Sequence, residues 1–354
     1  MDQVLEQLSR TIRAASLQRR PLRLRGGGSK DWYGEAGQGA VLDTTALSGI
    51  VAYEPTELVV TAWCGTPLAE LERELDAQGQ MLACEPPHFD GGATVGGMLA
   101  SGLSGPRRQS AGAVRDFVLG AVLMNGAGEQ LHFGGQVMKN VAGYDVSRLL
   151  AGSMGTLGLI VKASLKVLPK PIAECSLRLG MGQAAALDQL NVWGGQALPI
   201  SASAWHDGEL TLRLSGAVAA VRAARTLLGG EQVADGAEFW RGLRDQRAPF
   251  FAATKDRGLW RLSLPSRAAP LAWAGAQLIE WGGSQRWLPG DACGTELREA
   301  AARLGGHATL FRRATQTDPA FQPLAPALTA LHARLKRSFD AAGIFNPGRM
   351  SKEF

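Results

Sequence analysis

The sequence predicts an α+β protein of two parts, and three observations predict it. At 354 residues the chain exceeds what one average hydrophobic core organises, so two domains are the default. Of its 45 glycines, 16 fall between Gly91 and Gly158, a window of 68 residues in which they alternate with strand-like runs. After Pro171 the texture changes, and seven of the nine tryptophans lie beyond that point.

In the first part, residues 2–18 put Val4, Leu5, Leu8, Ile12 and Ala15 on one helical face. Pro21 stops that helix. A short strand over 21–25 runs into GGGSK (26–30), and further short strands are expected over 40–43, 50–53 and 58–63. Thr66 and Pro67 are expected as N-cap and first residue of a helix. Leu68, Leu71 and Leu75 would form its buried face, and Gly79 would close it. GGATVGG (91–97) leads into a short helix beginning near Met98. Residues 114–124 read as a strand, Asn125-Gly126 as a hairpin turn, and 130–133 as the returning strand. Asp145 caps a helix running to Leu150 and ending at Gly152, and 159–168 is a long strand stopped by Pro169 and Pro171.

Beyond Pro171, strands over 201–205 and 209–214 are joined by Asp207-Gly208 as a hairpin. A helix over 217–228 follows, then strands over 259–264, 278–281 and 285–288 and a last helix over 324–342. The tryptophans here are core or interface anchors.

Composition excludes several classes. Apolar residues make up 45% and charged residues 19%, as in ordinary globular proteins. No apolar run reaches the roughly 18 residues that span a bilayer, and residues 1–20 lack the apolar centre of a signal peptide. A cytoplasmic location is expected, with a peripheral position at the inner face of the cytoplasmic membrane arising only indirectly, through partners. The four cysteines are far apart and form no CxxC, so disulfides and a metal site are not expected. The net charge of +5 is spread among acidic residues without a basic stripe, which argues against nucleic acid.

The glycines need a reason, because at this density they weaken helices and strands. Main-chain N–H groups at glycine turns and helix starts hold anions without a charged side chain. A strand entering GGGSK (26–30) fits a phosphate loop, and the turn at 91–97 fits a pyrophosphate contact. Neither is a Walker A motif, and neither is the GxGxxG-helix unit of nicotinamide enzymes.

RGGGS (25–29), ATVGG (93–97), Arg115-Asp116 and GSMGTLG (152–158), in this order, resemble the FAD-binding domain of the vanillyl-alcohol oxidase / p-cresol methylhydroxylase (PCMH) superfamily. NPG (346–348) resembles its closing motif beside the flavin. KNVAGYD (139–145) and the short chain resemble, within it, the family of FAD-binding E subunits of bacterial glycolate oxidase.

The resemblance implies a PCMH-type FAD-binding domain over 1–171, an α+β cap or substrate domain over 172–330, and a segment over 331–354 returning to the first. It implies that Arg25, Gly26, Gly27, Gly28, Ser29 and Lys30 face the FAD pyrophosphate. Thr94, Val95, Gly96, Gly97, Ser101 and Gly102 would hold diphosphate and flavin from the other side. Gly155, Gly158 and Ile160 would let the backbone meet the isoalloxazine or adenine, and Asn346 would stand beside the flavin. Pro86, Gly92, Arg115 and Asp116 complete the expected cofactor set. Some superfamily members attach FAD through a His in the first loop. Here Ser29 and Lys30 stand in that loop, so non-covalent FAD is expected, with His88 a local polar contact.

The implied activity is oxidation of glycolate, a 2-hydroxy acid, to glyoxylate within a complex. Its other members are a related flavin subunit and an iron–sulfur subunit that receives the electrons. The sequence departs from related 2-hydroxy-acid dehydrogenases in lacking their paired metal-binding histidines. His206, His307 and His332 lie on separate elements. No metal is expected, no catalytic residue is selected beyond His206 as a weak candidate base, and the sister flavin subunit is expected to carry the main oxidation. A self-sufficient FAD-dependent 2-hydroxy-acid or alcohol oxidoreductase, and a non-catalytic flavin-binding scaffold, remain the alternatives.

Overall fold

A computed structural model describes residues 1–89, 91–135, 144–290 and 293–353. The chain divides into two compact units. The first comprises residues 1–104, 112–169 and 323–354, and the second 105–111 and 170–322.

The first unit is built on a five-stranded antiparallel sheet. Its strand order is Ile50–Glu54, Val59–Trp63, Leu159–Lys166, Val118–Met124, Gln130–Gly134. Val118–Met124 is buried along its whole length, as a central strand covered on both faces must be. The first helix, Asp2–Leu17, buries Leu8, Ile12 and Ala15 in a cluster with Val122, Met124, Leu159 and Val161 of the sheet. A separate parallel pair, Leu22–Arg25 with Ala40–Asp43, joins the same cluster through Leu22 and Leu42. Phe345, near the other end of the chain, bridges to Leu22 and is fully buried there.

Several expectations are corrected here. The helix Leu68–Ala77 is N-capped by Pro67, not by Thr66. The Thr66 hydroxyl instead accepts from the Gly49 N–H and donates to the Gly49 carbonyl, tying the helix start to the preceding loop. The glycine turn starts its helix earlier than expected, at Val95–Ser101, with Thr94 as N-cap. Residues 114–117 form a tight helical turn before the strand begins. The hairpin after Met124 closes through a five-residue loop rather than a two-residue turn. Asn125 Oδ1 accepts from the N–H groups of Ala127 and Glu129, and Gly128 takes the positive φ of 71°. An Asn side chain that satisfies two amides stabilises the longer loop.

The second unit is organised by an eight-stranded antiparallel sheet. Its strand order is Glu231–Gln232, Ala173–Gly180, Glu209–Gly216, Ile200–His206, Leu278–Glu280, Gln285–Pro289, Leu259–Ser263, His307–Arg312. Alternation in Glu209–Gly216 sends Leu210, Leu212 and Leu214 into clusters with Leu190 and Val221 of the covering helices. Thr211 and Arg213 then face the other way. Trp240, Trp260 and Trp287 are core residues, and the other four tryptophans of this region are half-buried. Asp207 and Gly208 both have positive φ, 48° and 78°, the turn a two-residue hairpin requires. No helix among the described residues is long and apolar enough to cross a membrane.

Candidate cofactor site

Two clefts open in the first unit. Both are walled by Leu24, Arg25, Gly26, Gly97, Ala100, Met154 and Asn346, so they are arms of one continuous groove. Three chain segments distant in sequence meet there. Their joint is Asn346: its Nδ2 donates to the Met154 carbonyl at 2.7 Å, and its Oδ1 accepts from the Leu24 N–H at 2.9 Å.

The first arm is lined by the loop Gly26–Lys30, and this loop carries free donors. Among the described residues, the main-chain N–H groups of Gly26, Gly27, Gly28 and Ser29 donate to no protein acceptor. Four consecutive unsatisfied donors beside a cleft form an anion site. Cationic side chains reinforce it: Arg23, Arg25, Lys30 and Arg349 line this arm against the one carboxylate of Asp31. Arg25 Nε lies 2.6 Å from Asp31 Oδ2, closing the loop on itself. Arg349 is buried and donates to the carbonyls of Glu35, Lys30 and Asp31, which fixes the loop from below. Burial holds the Arg349 guanidinium below its ordinary pKa. Arg23 acts in the same direction, and Asp31 and Glu35 oppose it.

The second glycine turn has a different part. Its amides were expected to reach a pyrophosphate, and three of them are spent within the fold. The Val95 N–H donates to the Thr66 carbonyl, the Gly96 N–H to the Cys64 carbonyl at 2.7 Å, and the Gly97 N–H to Thr94 Oγ1 at 3.2 Å. The helix start at Val95–Gly97 therefore contributes shape rather than donors. A Cβ on Gly27 would fall 1.5 Å from the Gly92 carbonyl oxygen, and one on Gly96 would lie 2.9 Å from Cys64 atoms. Those glycines let chain segments touch. A Cβ on Gly97 would meet nothing closer than Thr94 Oγ1 at 3.3 Å, while Gly97 faces both arms. Apart from that one contact, to which Thr94 must give by a few tenths of an ångström, the space beside Gly97 is groove, which suits a ligand.

Of the twenty expected cofactor residues, fourteen line the groove. They are Arg25 through Lys30, Thr94, Gly96, Gly97, Ser101, Gly155, Gly158, Ile160 and Asn346. Six lie outside both arms. Pro86 is buried in the 82–89 loop, and Val95 is fully buried in the core. Gly92 is exposed beside Gly27, and Gly102 ends the short helix with a φ of 63°. Asp116 accepts from the Ala113 N–H at 2.8 Å and so caps its own turn, and Arg115 beside it is exposed. Residues 139–143 of the KNVAGYD string lie outside the described residues. Tyr144 is exposed, and Asp145 accepts from the Arg148 N–H as N-cap of Val146–Leu149.

Sequence reasoning missed Arg23, Asp31 and Arg349 as groove residues. Period-two alternation in LRLR (22–25) was the available signal, since it puts Arg23 and Arg25 on one side of the strand. It also missed a buried ion pair behind the groove. Lys336 Nζ donates to Asp340 Oδ2 at 2.7 Å, to the Thr156 carbonyl at 2.7 Å and to the Phe345 carbonyl at 2.6 Å. Asp340 in turn accepts from the N–H groups of Ile344 and Phe345. The pair ties the 152–158 loop to the segment that presents Asn346.

His206 belongs to the second unit. Its Nδ1 donates to the Gln277 carbonyl at 2.8 Å, and its ring packs edge-on against Phe250 with centroids 5.3 Å apart. Among the described residues, no three of His, Cys, Asp and Glu converge as a metal site. His88 Nε2 lies 3.0 Å from Glu72 Oε2, outside both arms. Cys64 lines the second arm, and burial raises the pKa of its thiol strongly.

Similarities to known proteins agree with this geometry. A family model described as an FAD binding domain matches residues 4–134. The glycolate oxidase subunit GlcE of Escherichia coli (strain K12) is 48% identical over 350 residues, spanning 99% of this chain and 97% of that protein. The glycolate oxidase subunit GlcD of Bacillus subtilis (strain 168) is 30% identical over 174 residues, 49% of this chain and 37% of that protein. A solved alkyldihydroxyacetonephosphate synthase superposes with a TM-score of 0.66 over 97% of this chain and 75% of its own, at 17% identity, a likeness of fold.

Proposed function

Because the chain belongs to the family of glycolate oxidase subunit GlcE, a family of FAD-binding oxidoreductases, we propose that it is the FAD-binding subunit of a glycolate-oxidising complex. The observation that carries the site assignment is the row of four free amides at Gly26–Ser29 facing a groove whose opposite wall is open at Gly97. FAD has the matching chemistry: a doubly charged diphosphate for the donors and cations of the first arm, and a flat, largely apolar ring for the second.

When bound, FAD supplies the redox chemistry, taking up two electrons from a 2-hydroxy acid such as glycolate as it becomes the 2-oxo acid glyoxylate. The chain's own residues bind and orient it. The amides of Gly26–Ser29 and the guanidinium of Arg25 hold the diphosphate. Asn346 fixes the spacing between the strand at Leu24 and the loop at Met154, and Gly155, Gly158 and Ile160 bring backbone up to the ring. The first unit takes the role of FAD-binding domain and the second that of cap. No residue of the first-loop position offers an imidazole for attachment, so the FAD is held without a covalent bond.

The partners are a related flavin subunit and an iron–sulfur subunit that takes the electrons onward. The complex is placed in the cytoplasm, and any contact with the inner face of the membrane comes through those partners. The main oxidation of the hydroxy acid is assigned to the sister flavin subunit. The support is the sequence: the paired histidines of related 2-hydroxy-acid dehydrogenases have no counterpart, and His206, His307 and His332 lie on separate elements. The Gln277 carbonyl holds the Nδ1–H tautomer of His206 and leaves its Nε2 able to accept a proton, so His206 is the residue to substitute in the test. The test is anaerobic mixing of the FAD-loaded chain with glycolate. The flavin of the isolated chain should bleach slowly or not at all, and that of the complex rapidly. Rapid bleaching of the isolated chain, abolished by His206→Ala, would make this a catalytic subunit in its own right.

A further inference from the structure

Among the described residues, Arg23, Arg25 and Arg349 are the arginines that line the first arm of the groove, and two of them are engaged within the fold. Arg25 Nε is held by Asp31 Oδ2 at 2.6 Å. Arg349 donates from Nη1 to the Glu35 carbonyl at 2.6 Å and from Nη2 to the Asp31 carbonyl at 3.0 Å. Arg23 differs. Among the described residues its side chain makes no hydrogen bond or ion pair, and its Nε is buried without an acceptor. A buried donor left unsatisfied lowers stability, so an orphan that lines a groove points to a ligand.

Gly37 admits the Arg23 side chain to this position. A Cβ on Gly37 would fall 2.4 Å from Arg23 Cδ and 3.6 Å from Arg349 Nη1. Gly37 does not take the left-handed φ that favours glycine, so space and not backbone conformation is what a side chain there would use up. Arg23 and Arg349 thus pass the same glycine, and among the described residues no carboxylate is hydrogen-bonded to either. Two neighbouring guanidinium groups suit a doubly charged anion better than a singly charged one. The amides of the loop narrow the choice further. Gly26 follows Arg23 by three residues, at most about 11 Å along the chain. Consecutive main-chain N–H groups cradle one phosphate, and a guanidinium bonds another through paired N–H groups. A monophosphate satisfies one of these two partners, and a diphosphate satisfies both.

We infer that Arg23 grips one phosphate of the FAD diphosphate while the amides of Gly26–Ser29 hold the other, and that Arg23 thereby makes the first arm select a diphosphate over a monophosphate. This rests on the reading of the groove as the FAD site. The test is titration of the full-length apoprotein with FAD, followed by flavin fluorescence. Beside it, the apoprotein is melted alone, with inorganic pyrophosphate, with orthophosphate and with glycolate, all at equal ionic strength. Pyrophosphate should raise the wild-type melting temperature more than orthophosphate does. Arg23→Met should bind FAD at least tenfold more weakly and lose the preference for pyrophosphate. Its apoprotein should melt no lower than the wild type, because the change removes an unsatisfied donor and no contact. Arg23→Lys should recover part of the affinity. Gly37→Ala keeps every charge but takes the room of Arg23 Cδ, and should weaken FAD binding as well. Wild-type FAD affinity in Arg23→Met, or equal shifts of the wild type by the two phosphates, would overturn the role of Arg23 and leave the groove reading intact. An Arg23→Met apoprotein that melts several degrees lower would make Arg23 a structural residue and overturn the inference. So would a shift by glycolate that Arg23→Met abolishes with FAD affinity unchanged, since it would give the guanidinium to a substrate carboxylate. A wild-type chain that binds no FAD would overturn the groove reading itself, and this inference with it.

Discussion

Asn346 and Met154, 192 positions apart in sequence, are joined by a hydrogen bond of 2.7 Å from the Asn346 side-chain amide to the Met154 carbonyl. The same side chain accepts from the Leu24 N–H at 2.9 Å. One residue thus sets the distance between the walls of the groove. In Asn346→Leu, a buried carbonyl and a part-buried amide lose their partners, at a cost of about 1–3 kcal/mol each if no water replaces them. Lower stability in urea and weaker FAD retention are expected together. Asn346→Asp should be worse for the Met154 contact, because it sets a carboxylate oxygen against a carbonyl oxygen. Variants with unchanged urea midpoint and flavin content would show that the walls are held by other contacts.

The Lys336–Asp340 pair supports the same segment from behind. Its side chains are 7% and 0% exposed. Burial lowers the Lys336 pKa, and Asp340 pulls it partly back. Removing one partner strands a buried charge, so Lys336→Met is expected to destabilise the chain by about 3–5 kcal/mol. A double-mutant cycle with Asp340→Asn should recover part of that loss, because the stranded charge goes with it. Strict additivity of the two changes in a denaturation series would show that the two side chains do not act as a pair.

Covalent attachment is the next test. The loop at 26–30 has no histidine, and His88 is engaged with Glu72 at 3.0 Å outside both arms of the groove. Acid precipitation of the flavin-loaded chain should leave a colourless pellet and a yellow supernatant. A pellet that stays yellow after washing would contradict non-covalent binding.

The cysteines give a pH-dependent prediction. Cys64 and Cys84 are buried, and burial raises both thiol pKa values far above the ordinary range, while Cys293 is exposed. A raised pKa keeps the thiol protonated and inert, because the thiolate is the nucleophile. Titration with a disulfide reagent should label Cys293 quickly. Cys64 and Cys84 should react only after unfolding, with no gain between pH 7 and pH 9. Rapid labelling of Cys64 in the folded chain would show that solvent reaches the second arm more freely than its burial implies.

Much of the first unit could be read from local pattern. The 3.6-residue period of residues 2–17, the leucines at 68, 71 and 75, and the buried strand at 118–124 each announce their own surroundings. The glycine turns were legible as ligand loops, and fourteen of the expected residues do meet at one groove. What local pattern does not carry is which backbone donors stay free. The amides of Val95 and Gly96 are consumed by the carbonyls of Thr66 and Cys64, about thirty residues earlier in the chain, and only the folded arrangement brings them together. Arg349 and Lys336 were hidden for the same reason: each is a buried cation that donates to a carbonyl supplied by a distant segment.

The central claim is that the groove of the first unit is the FAD site, and Gly97 tests it most directly. A Cβ there faces the groove and meets the fold only at Thr94 Oγ1, 3.3 Å away. The measurement is bound flavin per chain for Gly97→Val beside the wild type, with the melting temperature of each apoprotein as control. The account predicts a yellow wild type, a variant with at least tenfold less flavin, and apoprotein melting temperatures within a few degrees of each other. Full flavin occupancy in Gly97→Val would contradict it and place the cofactor elsewhere.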